Sequence, residues 1–455
     1  MASWKLIVED YGKIKSAEIE IAPLTLFVGD NNSGKSYLLS LLWGIEKFGV
    51  SALIGEKYEN VKEINALIEW LCAQMDIVVE KKKYTVSLAE ISDLLNEALN
   101  EGVKKNKDNL VKKIFNNRNV NIGKLRIELG NLQDICLHLE MDEKKEILNI
   151  SLSDKRKFGL SFGIVREGIY REEIYREEKV IQWFLVTMIY CSLLNINENE
   201  SERNESIYLP AARTGFMLTK DIINKVGRKS TFNLSEEKEA ITPFTRPINQ
   251  FLDVIGDLSA ETSGSKENLA LSIYLEKEMA NGTIEISSMP NKEVQYVPDG
   301  YKKGMPLRLV SAVVTELSPL ILILKHQQNI CRFYYEEPEM CLHPQLQSKM
   351  GKIIGRIVNS GIGMVITTHS DIIMQHINNM IKLAKREDCQ DICEKLGYTQ
   401  LDLLSHDQVK VYQLSAKDRG KTEVKELACG ENGFAVPTFN DALDCIMNEA
   451  YEIQG

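Results

Sequence analysis

Gly29-Asp30-Asn31-Asn32-Ser33-Gly34-Lys35-Ser36 has the residue types and spacing of a phosphate-binding loop, G-x-x-x-x-G-K-S. Small residues let backbone N–H groups turn inward around phosphate oxygens, and a helix that follows adds partial positive charge at its N-terminus. Lys35 would bring a full charge to the β/γ oxygens and Ser36 a hydroxyl to Mg²⁺. The flanks suit that chemistry. Leu24-Thr25-Leu26-Phe27-Val28 reads as a strand entering the loop, and Leu38, Leu39, Leu41, Leu42 and Ile45 give the next segment an apolar helical face.

A second cluster lies far along the chain. Phe333-Tyr334-Tyr335-Glu336-Glu337-Pro338-Glu339 is a strand ending in carboxylates. Glu336 at its tip would face a metal through water. Glu337, one residue on, would polarise an attacking water, and the proline stops the strand there. An acidic turn after an edge strand has the same composition. Further on, Gly363-Met364-Val365-Ile366-Thr367-Thr368-His369-Ser370 is an apolar strand ending in a histidine, one helical segment (Gln345 to Asn359) beyond the acids. A lone histidine is usually structural. Parallel strands joined by one crossover, however, bring their C-terminal ends to the same sheet edge, where α/β proteins bind ligands. From there His369 would reach a terminal phosphate.

These residues need elements to hold them. Leu6 to Val8 and Ala17 to Ile21 read as strands around a Tyr11-Gly12-Lys13 turn. Between about Val50 and Glu205 the character changes: 60–77 and 87–105 are helical by period, and the Lys/Asn-rich 104–118 reads as a solvated helix face or loop. Strand-like runs follow at 124–129, 133–139, 147–152 and 158–165, and Asn195 to Ser206 is a polar linker. The echo of Tyr170-Arg171-Glu172-Glu173 in Tyr175-Arg176-Glu177-Glu178 is too short for a structural repeat. A second β/α block opens at Ile207-Tyr208-Leu209-Pro210, with Pro243 and Pro247 dividing a helical stretch at 235–258. A hairpin is expected across Pro290-Asn291, paired edge strands at 409–414 and 422–427, and a helix near 439–453. The expected organisation is a split α/β domain, 1–50 with 205–455, interrupted by a mixed α+β insertion at 51–204.

Composition narrows the class. With 44% hydrophobic and 26% charged residues among 455, the chain is neither disordered nor fibrous. A net charge of −10 offers nucleic acid or membrane no general attraction. Nine cysteines without a C-x-x-C pair fit thiols in a reducing cytoplasm. Cys389 and Cys393 can share a helix face but lack a second pair to complete a metal site. The start of the chain lacks a signal peptide's apolar core. Val180 to Ile196, broken by Gln182, Thr187, Ser192 and Asn195, reads as a buried helix and not a membrane span. A soluble cytoplasmic protein is expected.

Taken together, Gly29–Ser36, the Glu336-Glu337-Pro338-Glu339-x-x-Leu342-His343-Pro344 segment and Thr368-His369-Ser370 resemble an ABC-type ATPase head. The branch is the one shared by SMC/RecF-like proteins and the overcoming-lysogenization-defect (OLD) ATPases. The resemblance implies an α/β P-loop NTPase fold that uses ATP and Mg²⁺. By similarity, Gly29, Asp30, Asn31, Asn32, Ser33, Gly34, Lys35 and Ser36 form Walker A, and Ser36 with Glu336 of Walker B would hold Mg²⁺. Glu337 would be the catalytic glutamate, His369 the switch histidine and Leu342-His343-Pro344 the D-loop. The family's signature loop acts in trans, in a head-to-tail dimer or larger homo-oligomer. Here it corresponds to Leu309–Leu317, which keeps Ser311 but carries Val310 and Ala312 where serine and glycine are usual. A methyl group where backbone must approach phosphate would slow turnover more than binding. The Walker B strand also departs from the aliphatic norm, with Arg332 and two tyrosines.

Three positions stay open. Tyr11 and Lys13 fall where related heads keep residues near the base and phosphates, yet a turn aromatic also packs on a core. Arg213, in Tyr208-Leu209-Pro210-Ala211-Ala212-Arg213, would serve the nucleotide or a structural ion pair. No Q-loop glutamine stands out. The segment after His369 has no strand-tipped D-x-D for a Toprim nuclease, and no SMC-length heptad arm is present. An effector on a separate protein is therefore expected. This arrangement resembles the ATPase subunits of two-gene anti-phage systems, the AriA type of PARIS first and the PtuA type of Septu next. It implies an ATPase that controls a partner such as a nuclease. A RecF/SMC-like DNA-maintenance ATPase and a nucleotide-binding scaffold with negligible turnover are the alternatives. The acidic charge favours effector control, whereas a basic, salt-sensitive cleft would favour DNA.

Overall fold

The strand that enters the phosphate loop is buried along its whole length, as an unalternated Leu/Phe/Val run requires when both faces are covered. In the computed structural model the described residues are 4–55, 62–117, 119–130, 132–142, 147–152, 160–163, 186–187, 189–191, 193–194, 205–219, 244–287, 293–416 and 420–454. The strands are β1 (Trp4–Tyr11), β2 (Ile14–Glu20), β3 (Leu24–Gly29), β4 (Lys83–Ser87), β5 (Ile122–Leu129), β6 (Cys136–Asp142), β7 (Ile147–Leu152) and β8 (Leu160–Gly163). They continue with β9 (Glu205–Leu209), β10 (Gly282–Ile286), β11 (Val294–Pro298), β12 (Met305–Pro306), β13 (Ile330–Glu336), β14 (Gly363–Thr367), β15 (Val409–Ala416) and β16 (Thr422–Leu427). The main helices are α1 (Lys35–Ile54), α2 (Lys62–Lys81), α3 (Ser92–Phe115), α4 (Arg246–Asp257), α5 (Lys266–Leu275), α6 (Ala312–His326), α7 (Pro344–Asn359) and α8 (Asp371–Ala384).

A nine-stranded sheet runs β5-β1-β2-β16-β15-β3-β14-β13-β9. One side of it, β9, β13, β14, β3 and β15, is parallel. The histidine strand β14 therefore lies between the loop strand β3 and the acid strand β13, with Thr367 beside Phe27 on one side and Glu336 on the other. Alternate side chains enter separate cores. Phe27, Tyr334, Val365 and Tyr412 pack toward α1, α2 and α3. Leu24, Leu26, Val28, Phe333, Tyr335, Met364 and Ile366 pack toward α4 to α8. This is the layered α/β P-loop fold expected of an ABC-type head. Arg332 is accommodated by a buried ion pair with Glu46 of α1 at 2.5 Å, and Ser206 Oγ donates to the same carboxylate at 2.6 Å. A charge inside a strand survives only with such a partner.

Several expectations change. β15 and β16 do pair antiparallel, but neither is an edge: β15 runs beside β3 and β16 beside β2. The outer strands are β5 and β9. Val411, Tyr412 and Leu414 are buried on both faces of the sheet, which local alternation cannot reveal. The Lys/Asn-rich 104–118 region continues α3 as far as Phe115, with Leu110, Val111 and Ile114 buried. The 51–204 region contributes β5 to the main sheet against β1 and shares the core that holds α1. It also carries a four-stranded antiparallel sheet, β4-β6-β7-β8. Of the apolar run 180–196, Val186, Ile189, Tyr190, Cys191, Leu193 and Leu194 are buried; Tyr190 Oη donates to Leu95 O at 2.7 Å. The expected β10–β11 hairpin forms. Its Pro290-Asn291 turn, the echo at 170–178, the linker at 195–204, residues 235–243 and both ends of the 158–165 run lie outside the described residues. None of the described cysteines forms a disulfide. One described helix, Lys35–Ile54, is long and apolar enough to cross a membrane, and it lies mostly buried in the core.

Candidate functional site

The phosphate-type loop joins β3 to α1. Gly29 leaves the strand at φ +124°, where a Cβ would stand 2.0 Å from Leu414 O of β15, so only glycine fits. Gly34 precedes the helix at φ +100°. Asp30, Asn31, Asn32 and Ser36 are exposed, Gly34 is half-buried, and Ser33 and Lys35 are buried. The Asp30 carboxylate accepts from Ala416 N at 3.1 Å, tying the loop to β15. Lys35 Nζ donates to Asp30 O at 2.6 Å and Gly29 O at 3.0 Å. Burial lowers its pKa to about 8, opposed by the carboxylates of Glu337, Asp30 and Glu339.

Glu336 ends β13 nearly buried. Its Oε1 accepts from Tyr208 Oη at 2.9 Å and its Oε2 from Ala211 N at 2.8 Å. Each oxygen keeps a second lone pair, so a carboxylate facing a metal through water fits, and an all-oxygen set with the Ser36 hydroxyl suits Mg²⁺. Glu337 sits at φ +44°, an uncommon conformation for a non-glycine residue and one that recurs at functional sites. Its N–H donates to Thr367 O at 2.9 Å. Its carboxylate is 37% exposed, with Oε1 3.9 Å from His369 Nε2. Burial and then the Lys35 charge lower the His369 pKa, opposed by Asp30, which favours the uncharged ring.

Behind these groups is a set of fixings. Glu339 Oε1 accepts from His369 N at 2.5 Å, and its Oε2 from Thr368 Oγ1 at 2.9 Å. Thr368 N donates to Phe27 O at 3.0 Å. The Glu339 carboxylate thereby links the acid turn to the histidine turn, which is itself fastened to the loop strand. Its own pKa is raised by burial. Arg213 is fully buried. It donates to Pro210 O at 2.7 Å, Glu336 O at 2.5 Å and Glu337 O at 2.9 Å, and pairs with Glu316 of α6 at 2.7 Å.

The sequence candidates thus fall into groups. Lys35, Glu336, Glu337 and His369 share one edge of the sheet with the loop. Arg213 makes an ion pair with Glu316 behind that edge. Tyr11 lies in the core, not at a ligand surface: its Oη donates to Tyr37 O at 3.1 Å and its ring meets Tyr37 and Phe115 edge-on. Lys13 is exposed at the hairpin tip. Ser311 is the exposed N-cap of α6, accepting from Val314 N at 3.5 Å. Among the described residues no hydrogen bond or ion pair joins it to Gly29–Ser36. Leu342 is buried, while His343 and Pro344 are exposed at the start of α7. Sequence reasoning missed Tyr208, Glu316 and Glu339. Glu339 lies within the Glu336–Pro344 segment, and its spacing from Glu336 was the available signal. Nothing local marks Glu316, whose role depends on how α6 packs.

An SMC head bound to the C-terminal winged-helix domain of ScpA is 11% identical over 93% of this chain and 97% of its own, with a TM-score of 0.37. The SMC head domain from Thermotoga maritima is 11% identical over 94% and 100%, with a TM-score of 0.33. The Pyrococcus furiosus Smc head with an extended coiled coil, bound to the C-terminal domain of ScpA, is 12% identical over 100% of both chains, with a TM-score of 0.36. No curated protein matches the chain. The AAA ATPase domain matches residues 1–374, a span that takes in the loop, the acid strand and the histidine strand. With most of its length so matched, the chain belongs to the AAA ATPase domain family.

Proposed function

We propose that the protein binds ATP with Mg²⁺ at Gly29–Ser36 and Glu336 and hydrolyses it to ADP and phosphate, in a head-to-tail dimer whose nucleotide state controls a separate effector. The observation that carries this reading is the convergence of Lys35, Glu337 and His369: Glu337 Oε1 lies 3.9 Å from His369 Nε2, and both side chains act electrostatically with Lys35. Mg²⁺, when bound, offsets the charge that develops on the phosphate oxygens. Lys35 exchanges its carbonyl partners for phosphate oxygens. Glu337, partly open to solvent, takes the proton of the attacking water. Neutral His369 donates a hydrogen bond toward the transferred phosphoryl group. Ser311 of a second copy completes the site, and Ala312 beside it favours slow turnover.

Control of an effector draws support from α1, which starts at Lys35 and packs tightly on α3 of the 51–204 region. A Cβ at Gly44 would lie 2.2 Å from Ile114 Cδ1, so displacement of the loop helix is felt by that region. We take it as the docking or sensing surface for a partner such as an anti-phage nuclease. Sedimentation with Mg²⁺–ATP tests the assembly: a dimer is expected with ATP, and Ser311→Arg should keep the protein monomeric. A monomer that hydrolyses ATP at saturation would exclude the trans arrangement, and co-purification with a nuclease encoded by the adjacent gene tests the partner.

Affinity should also depend on pH in a defined direction. Lys35 titrates at about 8 in the free protein, and phosphates beside it raise that value. Below pH 8 it is protonated in both states and affinity is flat. Above pH 8, binding takes up a proton, so the ATP dissociation constant should rise by up to about tenfold per pH unit. Calorimetry at pH 7 and pH 9 reads this directly, and an unchanged affinity at pH 9 would refute it.

A further inference from the structure

We propose that Arg213 and Glu316 form a positioning brace that couples the acid strand of one protomer's site to the helix presenting Ser311 to its neighbour. The inference rests on the ATP reading above and concerns how the two halves of a composite site communicate.

Both side chains are buried, at 0% and 1% exposure. The Arg213 guanidinium donates to the carbonyls of Glu336 and Glu337 together with that of Pro210, and it lies 4.6 Å from the Tyr335 ring centroid. One fork thus grips the two peptide units that flank the Glu337 Cα. The Glu337 backbone is further held through its N–H on Thr367 O, so the left-handed Glu337 is fixed from two directions. The Nη2 that donates to Glu337 O also meets Glu316 Oε1 at 2.7 Å. Glu316 Oε2 accepts from Thr214 N at 2.8 Å and Thr214 Oγ1 at 2.7 Å.

Glu316 lies in the opening turns of α6, directly after Thr315, whose N–H and Oγ1 both donate to Ser311 O at 3.1 and 3.2 Å. Strand tip, guanidinium and carboxylate are therefore joined by short contacts, and the carboxylate is carried on the helix that Ser311 caps. Its central ion pair is shielded from water, and parting it would strand a buried charge. A shift of Glu336 or Glu337 on nucleotide binding has to carry Arg213 and α6 with it. Lysine would keep the charge but not the planar fork that spans three carbonyls. Spatial intermediacy becomes coupling only if both ends bias the same element.

Hydrogen exchange makes that test. With Glu337→Gln protein, diluted until monomeric by light scattering, Mg²⁺–ATP should slow exchange of the Val314–Leu317 amides about five- to tenfold, the low end of ordinary coupling factors. In the same background, Arg213→Lys and Glu316→Gln should bind ATP yet lose most of this protection. Equal protection with the brace cut, or no response of α6 while ATP is bound, would overturn the proposal. Failure to bind ATP at all would appear in the direct binding measurement and would remove the ATP reading itself. Should both buried variants unfold, Thr214→Val, which deletes one donor to Glu316, should give a partial loss; full protection there would count against the brace.

Discussion

Glu337→Gln is expected to keep ATP bound and to slow its hydrolysis by about 10²- to 10⁴-fold, the range that a positioned general base supplies. That corresponds to roughly 3–5.5 kcal/mol of barrier at about 1.4 kcal/mol per tenfold. The amide matches the carboxylate in volume, and the fixings of this residue are backbone ones: its N–H on Thr367 O and its carbonyl on Arg213. Loop geometry should therefore persist. Affinity should hold or rise, because one of the carboxylates facing Lys35 is neutralised. ATP-bound dimers should accumulate. Single-turnover hydrolysis of labelled ATP, run beside a filter-binding assay, separates the two effects. Wild-type turnover in this variant would place the base elsewhere.

Lys35→Ala should remove ATP binding. The charged groups acting on Lys35 are Glu337, Asp30 and Glu339, all acidic, so without the ammonium the phosphates meet carboxylates. Two charge-assisted hydrogen bonds of about 1.5–3 kcal/mol each would be lost, or roughly 10²- to 10⁴-fold in affinity. The fold should survive, since α1 is held by Leu38, Leu39, Leu41, Leu42 and Ile45 in the core. Equilibrium binding of a fluorescent ATP analogue, with thermal unfolding as control, decides the matter. Unchanged affinity in a folded variant would remove the loop assignment.

Glu337 and Lys35 could be singled out from sequence because their chemistry depends on neighbours close in the chain. Strand, glycine-rich turn and helix follow one another within Leu24–Ile54, and the strand-tip acids and Pro338 are contiguous. The β10–β11 hairpin was legible for the same reason. β15 and β16 were legible as a pair but not as interior strands, because period-2 alternation reports a strand's faces and not its lateral neighbours. Tyr11 shows the same limit. Its type and turn position were consistent with a ligand contact, and only its packing on Tyr37 and Phe115 made it a core residue.

From its residues alone this chain determined that a phosphate loop, an acid-tipped strand and a histidine-tipped strand would share one sheet edge. Loop spacing and crossover handedness are local physical rules that leave little choice. Tertiary structure alone decided what holds them there. Glu339 reaches across to His369 N, Tyr208 and Ala211 occupy Glu336, and Arg213 spans from the acid strand to Glu316 on α6. These partners lie up to 128 residues apart, and a side chain's choice among distant partners depends on packing geometry that no short stretch of sequence encodes.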